Sequence, residues 1–252
     1  MRAGAVALAL LAIAAQAPAQ QGRSGDDQLP TVLYGMGPDP RERVESDRLP
    51  WSAIGKLQIA IGNLRAFCTA ALIAPTKLLT AAHCFFNETT HAQFPLDQFH
   101  FLQGLARDKY LAAAKIASVA IADGYDVENE AQAQGADWAV VTLDHALGDD
   151  EGVLDFESRV PAAGTAVTVG GYNRDYQYVV TADEHCRVLG RVVDKAGRPL
   201  LVHDCTAKQG TSGAPVLVYE GGHWLIVGVE IATARQDTRG IAAIPDRGAL
   251  QR

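Results

Sequence analysis

The sequence lacks the features that would place it in several large protein classes. It has no cluster of Lys and Arg, and 22 basic residues against 29 acidic ones give a formal net charge of −7. Proteins that bind nucleic-acid phosphates or anionic lipid surfaces rely on clustered basic side chains, so neither partner is expected. Charged residues make up only 20% of the chain and hydrophobic residues 48%, which excludes an intrinsically disordered protein.

Metal-binding patterns are also missing. The chain has 4 Cys and 7 His but no C-x-x-C or H-E-x-x-H sequence, and no other spacing typical of zinc ligands. His83 beside Cys84 and His185 beside Cys186 are adjacent residues, whose side chains diverge on any regular element. We therefore predict that the protein uses no metal and no cofactor.

The first twenty residues are different in character from the rest. Met1-Arg2 is a positive start, residues 3–15 are uncharged and rich in Ala and Leu, and Ala17-Pro18-Ala19 offers the small residues that signal peptidase recognises. This apolar run is too short for a hydrocarbon core about 30 Å thick. Residues 1–19 are thus predicted to be a secretory signal peptide, and the protein to be secreted (extracellular or periplasmic) without membrane insertion after cleavage.

Export makes disulfide bonds the expected role of the cysteines. In an oxidising compartment an even number of Cys pairs into disulfides, and four Cys allow three connectivities. Sequential pairing would join Cys68 to Cys84 and Cys186 to Cys205, closing two short loops.

The pattern of hydrophobic residues predicts an all-β fold. Residues 20–48 are polar and are predicted to be a leader or pro-segment, and short apolar runs separated by turn residues then continue to the C-terminus. They divide near residues 148–152, which indicates two barrels of about 100 residues each within a domain of residues 49–252, approximately 49–150 and 151–252. Predicted strands are 56–61, 67–73, 99–103, 115–121, 138–143, 166–170, 178–181, 188–193, 200–203, 216–219, 224–231 and 241–244; helical candidates are 81–85, 103–114 and 128–133.

Two segments place a base and an acid beside predicted strands. Residues 78–84 end a strand in small side chains, which leave space around the imidazole of His83. Asp137 directly precedes a hydrophobic strand, where an unpaired carboxylate would be costly. Taken singly, His83 would be an ordinary partly buried histidine and Asp137 a solvated residue at a strand start. Rival candidates for the acid are Asp123, Asp126 and Asp144.

A third segment, Gly-Thr-Ser-Gly-Ala-Pro at residues 210–215, has the composition of a nucleophile turn. Glycines on both sides of Ser212 permit positive φ and close backbone approach. Such a turn can expose the Ser212 hydroxyl while it aims the N–H groups of Gly210 and Ser212 at one point, as an oxyanion hole requires. By itself the segment could equally be a surface turn.

Together, the three segments predict a nucleophilic hydrolase. Ser212 would attack, His83 would accept and return the proton, and Asp137 would orient the imidazole. The chain order His, Asp, Ser differs from the order in α/β-hydrolases and in subtilisins, and an esterase would share the chemistry but not this order.

These motifs resemble those of the chymotrypsin-like (trypsin-like) serine endopeptidases, and the resemblance covers roughly residue 47 to the C-terminus. Residues 50–56 are similar to the bacterial secreted branch that includes the glutamyl endopeptidases. The resemblance implies two six-stranded antiparallel β-barrels with the active site between them, and a Cys68–Cys84 disulfide. It also implies a protein or peptide substrate; we expect a monomer, with the loop at residues 172–175 near the cleft. A catalytically silent relative that uses the cleft for binding is the alternative function.

The sequence departs from the family pattern at three positions. Trypsin-type enzymes carry an Asp just before the nucleophile, and this Asp pairs with a newly formed N-terminus. This chain has Thr211 there, so activation by such an ion pair is not expected. Thr206 stands six residues before Ser212, where trypsins have the Asp of the specificity pocket. Glu230 stands where glutamyl-specific relatives have a His, and it would either face the pocket or pair with Arg235. Thr206 and Glu230 are therefore the predicted pocket residues, and cleavage after glutamate is not expected.

Overall fold

The structure is a computed structural model that describes residues 1, 39–149, 152–157, 159–233 and 239–250. Most of the predicted signal peptide and leader, as well as Arg235, lie outside these residues. Within the described ranges the only α-helix is α1 (Arg247–Leu250), and no helix is long and apolar enough to cross a membrane.

Six antiparallel strands form the first barrel. They are β2 (Ile54–Ile61), β3 (Leu64–Ala74), β4 (Lys77–Thr80), β5 (Phe99–Gln103), β6 (Ala112–Ile121) and β7 (Ala139–Leu143), and they close in the order β2-β3-β4-β7-β6-β5. In β5, buried and partly exposed residues alternate, which is the period of two for a strand with one face on a core. Phe99 and Phe101 from this strand are buried in the barrel interior.

The second barrel also has six antiparallel strands. They are β9 (Ala166–Gly171), β10 (Thr181–Val193), β11 (Pro199–His203), β12 (Pro215–Glu220), β13 (His223–Thr233) and β14 (Gly240–Ala243). Their order is β9-β10-β11-β14-β13-β12, and pairing of β12 with β9 closes the barrel. Two short strands add to it: β1 (Glu42–Arg43) pairs with β10, and β8 (Asp155–Phe156) runs parallel to β13. The predicted pair of six-stranded antiparallel barrels is confirmed.

Two local predictions are wrong. The segment 103–114 is not a helix, because positive φ angles at Gly104 (55°) and Arg107 (62°) turn the chain so that β6 pairs back on β5. Here sheet pairing outweighs the helix preference of the Ala-rich stretch. The run 178–181 is not a strand either: Val179 N–H donates to Tyr176 O in a turn, and β10 begins only at Thr181. Short 3₁₀ helices occupy Trp51–Ala53, Ala82–Phe85, Leu96–Gln98, Val127–Gln132, Gln134–Ala136 and Arg174–Tyr176.

Within residues 39–48, the described part of the predicted leader, residues 41–44 contact the second barrel. Glu42 and Arg43 pair with Ala182 and Thr181 of β10. The Arg41 side chain is 1% exposed and forms ion pairs with Asp39 (2.6 Å) and Asp175 (2.7 Å). This part of the chain therefore contacts the folded unit, and its assignment as a leader or pro-segment stays a prediction.

Backbone groups of the two barrels approach each other closely around Thr69. The buried Thr69 of β3 donates its N–H to the carbonyl of Ser212 (2.8 Å), and its hydroxyl accepts from Tyr172 N–H (3.0 Å). A Cβ on Gly171 would lie 2.6 Å from Thr69 Oγ1, so only glycine fits at the end of β9. The fold thus brings the predicted nucleophile turn against β3, the strand whose Cys68 is bonded to Cys84 beside the predicted base.

Candidate active site

His83 is held at the end of the first barrel by its neighbours in sequence. After β4 the chain enters the 3₁₀ helix Ala82–Phe85, and the disulfide between Cys84 and Cys68 ties that helix to β3. Ala81 and Ala82 are fully buried, so the backbone lies deep while the His83 side chain stays 23% exposed. The small residues before His83 thus allow a buried turn to present an accessible ring.

Asp137 contacts His83 through both carboxylate oxygens. Oδ2 lies 2.7 Å from the ring Nδ1, and Oδ1 accepts the backbone N–H of His83 at 2.9 Å. The 3₁₀ helix Gln134–Ala136 ends at Asp137 just before β7, and the carboxylate is 9% exposed. An ionised carboxylate only accepts hydrogen bonds, so the ring proton is placed on Nδ1 and Nε2 is left as the basic nitrogen.

The electrostatic environment of His83 follows from this pair. Burial lowers the pKa of the His83 imidazole, but the charge and hydrogen bond of Asp137, together with the charges of Glu130 and Glu88, raise it by more, so the pKa lies above its ordinary value of 6.5. The carboxylate therefore stabilises the imidazolium that forms when His83 accepts a proton.

The turn around Ser212 depends on its two flanking glycines. Gly210 has φ +102° and Gly213 has φ +84°, backbone conformations that residues with a Cβ rarely adopt. A Cβ on Gly213 would overlap Thr80 Oγ1 and Thr69 O of the first barrel. Ser212 is thereby packed against the strand that leads to His83.

Two backbone N–H groups of this turn are available to a ligand. Within the described part of the chain, no group accepts a hydrogen bond from the backbone N–H of Gly210 or Ser212. Three neighbouring groups, in contrast, have partners: Gly210 O accepts from Thr69 Oγ1 (2.9 Å), Ser212 O from Thr69 N–H, and Gly213 N–H donates to Glu230 O (2.7 Å). This is the pattern expected of an oxyanion hole, whose donors point at substrate rather than at the protein.

Other predicted residues lie away from His83. Asp126 accepts the N–H groups of Glu128 and Asn129 at the start of a 3₁₀ helix, and Asp144 pairs with the exposed His145. The second predicted disulfide is present between Cys186 and Cys205 in the second barrel.

Glu230 is paired with a histidine that the sequence interpretation did not single out. Its Oε2 lies 2.7 Å from Nε2 of His203, and both side chains are buried. The buried Oε1 has no hydrogen-bond partner among the described residues. Arg235, the partner expected for Glu230 if it does not face the pocket, lies outside the described residues, so that pairing stays a prediction. Thr206 donates its N–H to Asp183 (2.9 Å) and does not contact Glu230 in the described structure.

The sequence interpretation also missed Asn173 and Thr69 as contacts of the Ser212 turn. Asn173 belongs to the loop 172–175 that was expected near the cleft, and its side-chain oxygen accepts from Thr211 Oγ1 at 2.6 Å. Neither residue carries a motif, so no signal in a single sequence distinguishes them from ordinary polar residues.

Among the described residues, one group of side chains lies close enough together to hold a metal ion: Cys68, His83 and Cys84. Both of its sulfur atoms are joined in the Cys68–Cys84 disulfide, so they cannot act as thiolate ligands.

The chain is similar to known proteins in both sequence and fold. The family model described as Trypsin matches residues 41–243. Among solved structures, the chain is similar to a Glu endopeptidase, with 23% identity and a TM-score of 0.69 over 85% of this chain and 95% of that chain. It is also similar to the protease Anisep from Arthrobacter nicotinovorans (15% identity, TM-score 0.61, 81% and 93% covered) and to the thermostable serine protease AL20 from an extremophilic microorganism (14%, 0.62, 79% and 94%). No curated protein matches the chain. At these identities the likeness to solved structures shows a shared fold.

Proposed function

Because the chain belongs to the trypsin family of serine endopeptidases, we propose that Ser212, His83 and Asp137 are the residues with which it hydrolyses peptide bonds. The observation that carries this assignment is the double contact of Asp137 with the ring and the backbone of His83. A merely structural aspartate has no need to fix both the position and the tautomer of a partly exposed histidine.

The reaction follows from the roles of these groups. Nε2 of His83 removes the hydroxyl proton as Ser212 Oγ bonds to the substrate carbonyl carbon, and the carbonyl oxygen becomes an oxyanion. The N–H groups of Gly210 and Ser212 stabilise that charge. The imidazolium then gives its proton to the leaving amine, which leaves an acyl group on Ser212. Water, deprotonated by His83, hydrolyses the acyl-enzyme and restores the serine.

Covalent labelling tests the assignment of the nucleophile. A fluorophosphonate probe is expected to label the wild-type protein and the control variant Ser118→Ala, whose serine is exposed on β6. It is not expected to label Ser212→Ala. Failure of the folded wild-type protein to react would instead favour a catalytically silent protein that uses the cleft for binding.

For substrate preference, we propose that glutamate is disfavoured next to the scissile bond. Glu230 hydrogen-bonds through its backbone to Gly213 and Ala214, directly behind Ser212. Its buried Oε1, which has no hydrogen-bond partner among the described residues, is an acceptor and would suit a hydrogen-bond donor better than a second carboxylate. A peptide panel checks this: hydrolysis after Glu and none after Lys or Arg would contradict the proposal.

We also propose that the protein is secreted and that residues 1–19 are its signal peptide. Two disulfides fit an oxidising compartment, and such bonds are rare in cytosolic proteins. Because Arg41 is buried against Asp175, we place the start of the catalytic unit no later than residue 39 and expect leader cleavage upstream of it. N-terminal sequencing of active secreted protein tests both points, and a start beyond Arg41 would contradict the boundary.

A further inference from the structure

The oxyanion hole proposed above needs one peptide group in a particular orientation. Gly210 N–H belongs to the peptide that joins Gln209 to Gly210, in an irregular segment between β11 and β12. Thr211 N–H donates to Lys208 O (3.0 Å) across this peptide, but type I and type II turns both make that bond with the central peptide in opposite orientations. Because Gly210, at φ +102°, is conformationally permissive, contacts from outside the segment are needed to favour one orientation.

Asn173 is the buried side chain that contacts this segment. It is 1% exposed, and both of its polar atoms are used. Oδ1 accepts the backbone N–H of Lys208 (3.0 Å) and the hydroxyl of Thr211 (2.6 Å). Nδ2 donates to Thr181 Oγ1 (2.9 Å) and to Gly171 O (3.3 Å). The amide thus ties both ends of residues 208–211 to the body of the second barrel.

The residue after Asn173 holds the peptide itself. The backbone N–H of Arg174 donates to the carbonyl of Gln209 at 2.8 Å. Because the N–H and C=O of a trans peptide point in opposite directions, this bond turns the N–H of Gly210 away from the loop 172–175. Thr69 Oγ1 fixes the next carbonyl, that of Gly210, from the other barrel.

Ion pairs on the surface also join the loop 172–175 to the segment 208–211. Asp175 pairs with Lys208 Nζ (2.7 Å) and with the buried guanidinium of Arg41. These ion pairs lie partly in solvent, so they carry less energy than the buried amide contacts.

We propose that Asn173 is a positioning residue for the oxyanion hole. The inference rests on the proposed function, because it assigns to Asn173 the task of keeping the Gln209–Gly210 peptide in the orientation that catalysis needs. The neutral buried amide does this without a newly formed N-terminus, in keeping with Thr211 at the position before the nucleophile.

Three variants separate positioning from folding. Asn173→Ala removes the whole contact and is expected to lower kcat by about 100-fold, within the 10²–10³-fold loss that follows removal of one oxyanion donor. Thr211→Val removes only the hydroxyl and keeps the shape, and we expect a loss of about 10-fold. Thr211→Ser keeps the hydroxyl and is expected to remain within about 3-fold of the wild type. Asn63→Ala, at an exposed turn asparagine, is the matched control.

The readout uses probes that need no knowledge of the natural substrate. The acylation rate and KM are measured with p-nitrophenyl acetate, and the inhibition constant with phenylboronic acid, whose boron becomes tetrahedral on bonding to Ser212. If Asn173 acts through the oxyanion hole, the inhibition constant rises by about the same factor as the acylation rate falls, while KM stays within about 3-fold.

Distinct results would overturn the inference. An acylation rate within 3-fold of the wild type in folded Asn173→Ala would contradict it. Slow acylation with an unchanged inhibition constant for phenylboronic acid would also contradict it. If Asn173→Ala does not fold, equal rates for Thr211→Val and Thr211→Ser would have the same effect. Absence of acylation in the wild type would refute the proposed function itself, and this inference with it.

Discussion

Replacing Asp137 by Asn tests the geometry of the proposed triad most directly. Oδ1 of Asp137 accepts the backbone N–H of His83, and that donor cannot change its role. In Asp137→Asn the side-chain oxygen is therefore expected to stay at the backbone, which turns the new NH₂ group toward Nδ1 of the ring. With a donor facing Nδ1, the neutral imidazole carries its proton on Nε2, where it cannot act as a base toward Ser212.

The size of the effect has two parts. Turning the amide round would restore the tautomer but would leave the His83 N–H without its acceptor, at a cost of about 1–3 kcal/mol. Loss of the negative charge removes about 4 kcal/mol of attraction for the imidazolium, taking charges about 4 Å apart and an effective dielectric constant of about 20. At about 1.4 kcal/mol for each factor of ten, kcat/KM is expected to fall by about 10⁴-fold.

The assay is a pH profile of kcat/KM with p-nitrophenyl acetate. In the wild type Asp137, with Glu130 and Glu88, raises the pKa of His83 above 6.5, so activity should be lost on acidification with a midpoint above pH 6.5. In Asp137→Asn the fall in residual activity on acidification should shift to lower pH, because the charge that favours the imidazolium is gone. Asp144→Asn, at the carboxylate paired with the exposed His145, is the matched control. Activity of Asp137→Asn within 10-fold of the wild type, at equal melting temperature, would refute the assignment.

Three further predictions concern the surroundings of the site. Replacing Cys68 and Cys84 together by Ser should lower the free energy of unfolding by about 3 kcal/mol, the loop-entropy value for a separation of 16 residues, and a change under 1 kcal/mol in a urea titration would contradict it. Gly213→Ala should lose activity and melt at lower temperature, because its Cβ would overlap the first barrel at φ +84°; wild-type behaviour in both measurements would show that the backbone relaxes. Arg41→Met should lower the free energy of unfolding by about 2 kcal/mol at pH 7, since its partners are partly solvated. The hydrogen bond from Arg41 lowers the pKa of Asp175, so this stabilisation is present at neutral pH and the two proteins should converge in denaturant titrations as the pH falls below about 4.

The sequence was sufficient to predict the barrels and the proposed triad because both depend on local patterns. A period of two along β5 and glycines on both sides of Ser212 are visible without any knowledge of distant contacts. The false helix at residues 103–114 shows the limit of such patterns. Its Ala-rich end has the local preference of a helix, but Ala113 and Ala114 pair with Leu102 and Phe101 across a turn that only the tertiary structure favours.

Distant contacts between residues that belong to no motif could not be predicted from one sequence. Asn173 and Thr211 are 38 residues apart, and His203 and Glu230 are 27 residues apart. Neither pair has a spacing that a helix or a hairpin would impose, so their meeting follows from barrel closure alone. The expectation that Glu230 pairs with Arg235 concerns a residue outside the described part of the chain and stays a prediction.

The two barrels function as one unit because polar contacts from both converge on the Ser212 turn. Thr69 of the first barrel contacts Ser212 through its N–H and Gly210 through its hydroxyl, while Asn173 of the second barrel holds Lys208 and Thr211. The disulfide between Cys68, next to Thr69, and Cys84, next to His83, connects the position of the base to the same strand. A displacement of one barrel relative to the other would therefore break the contacts that hold the proposed oxyanion donors near the proposed base. On this argument the short backbone contact at Thr69 matters more for catalysis than the extensive apolar packing around it.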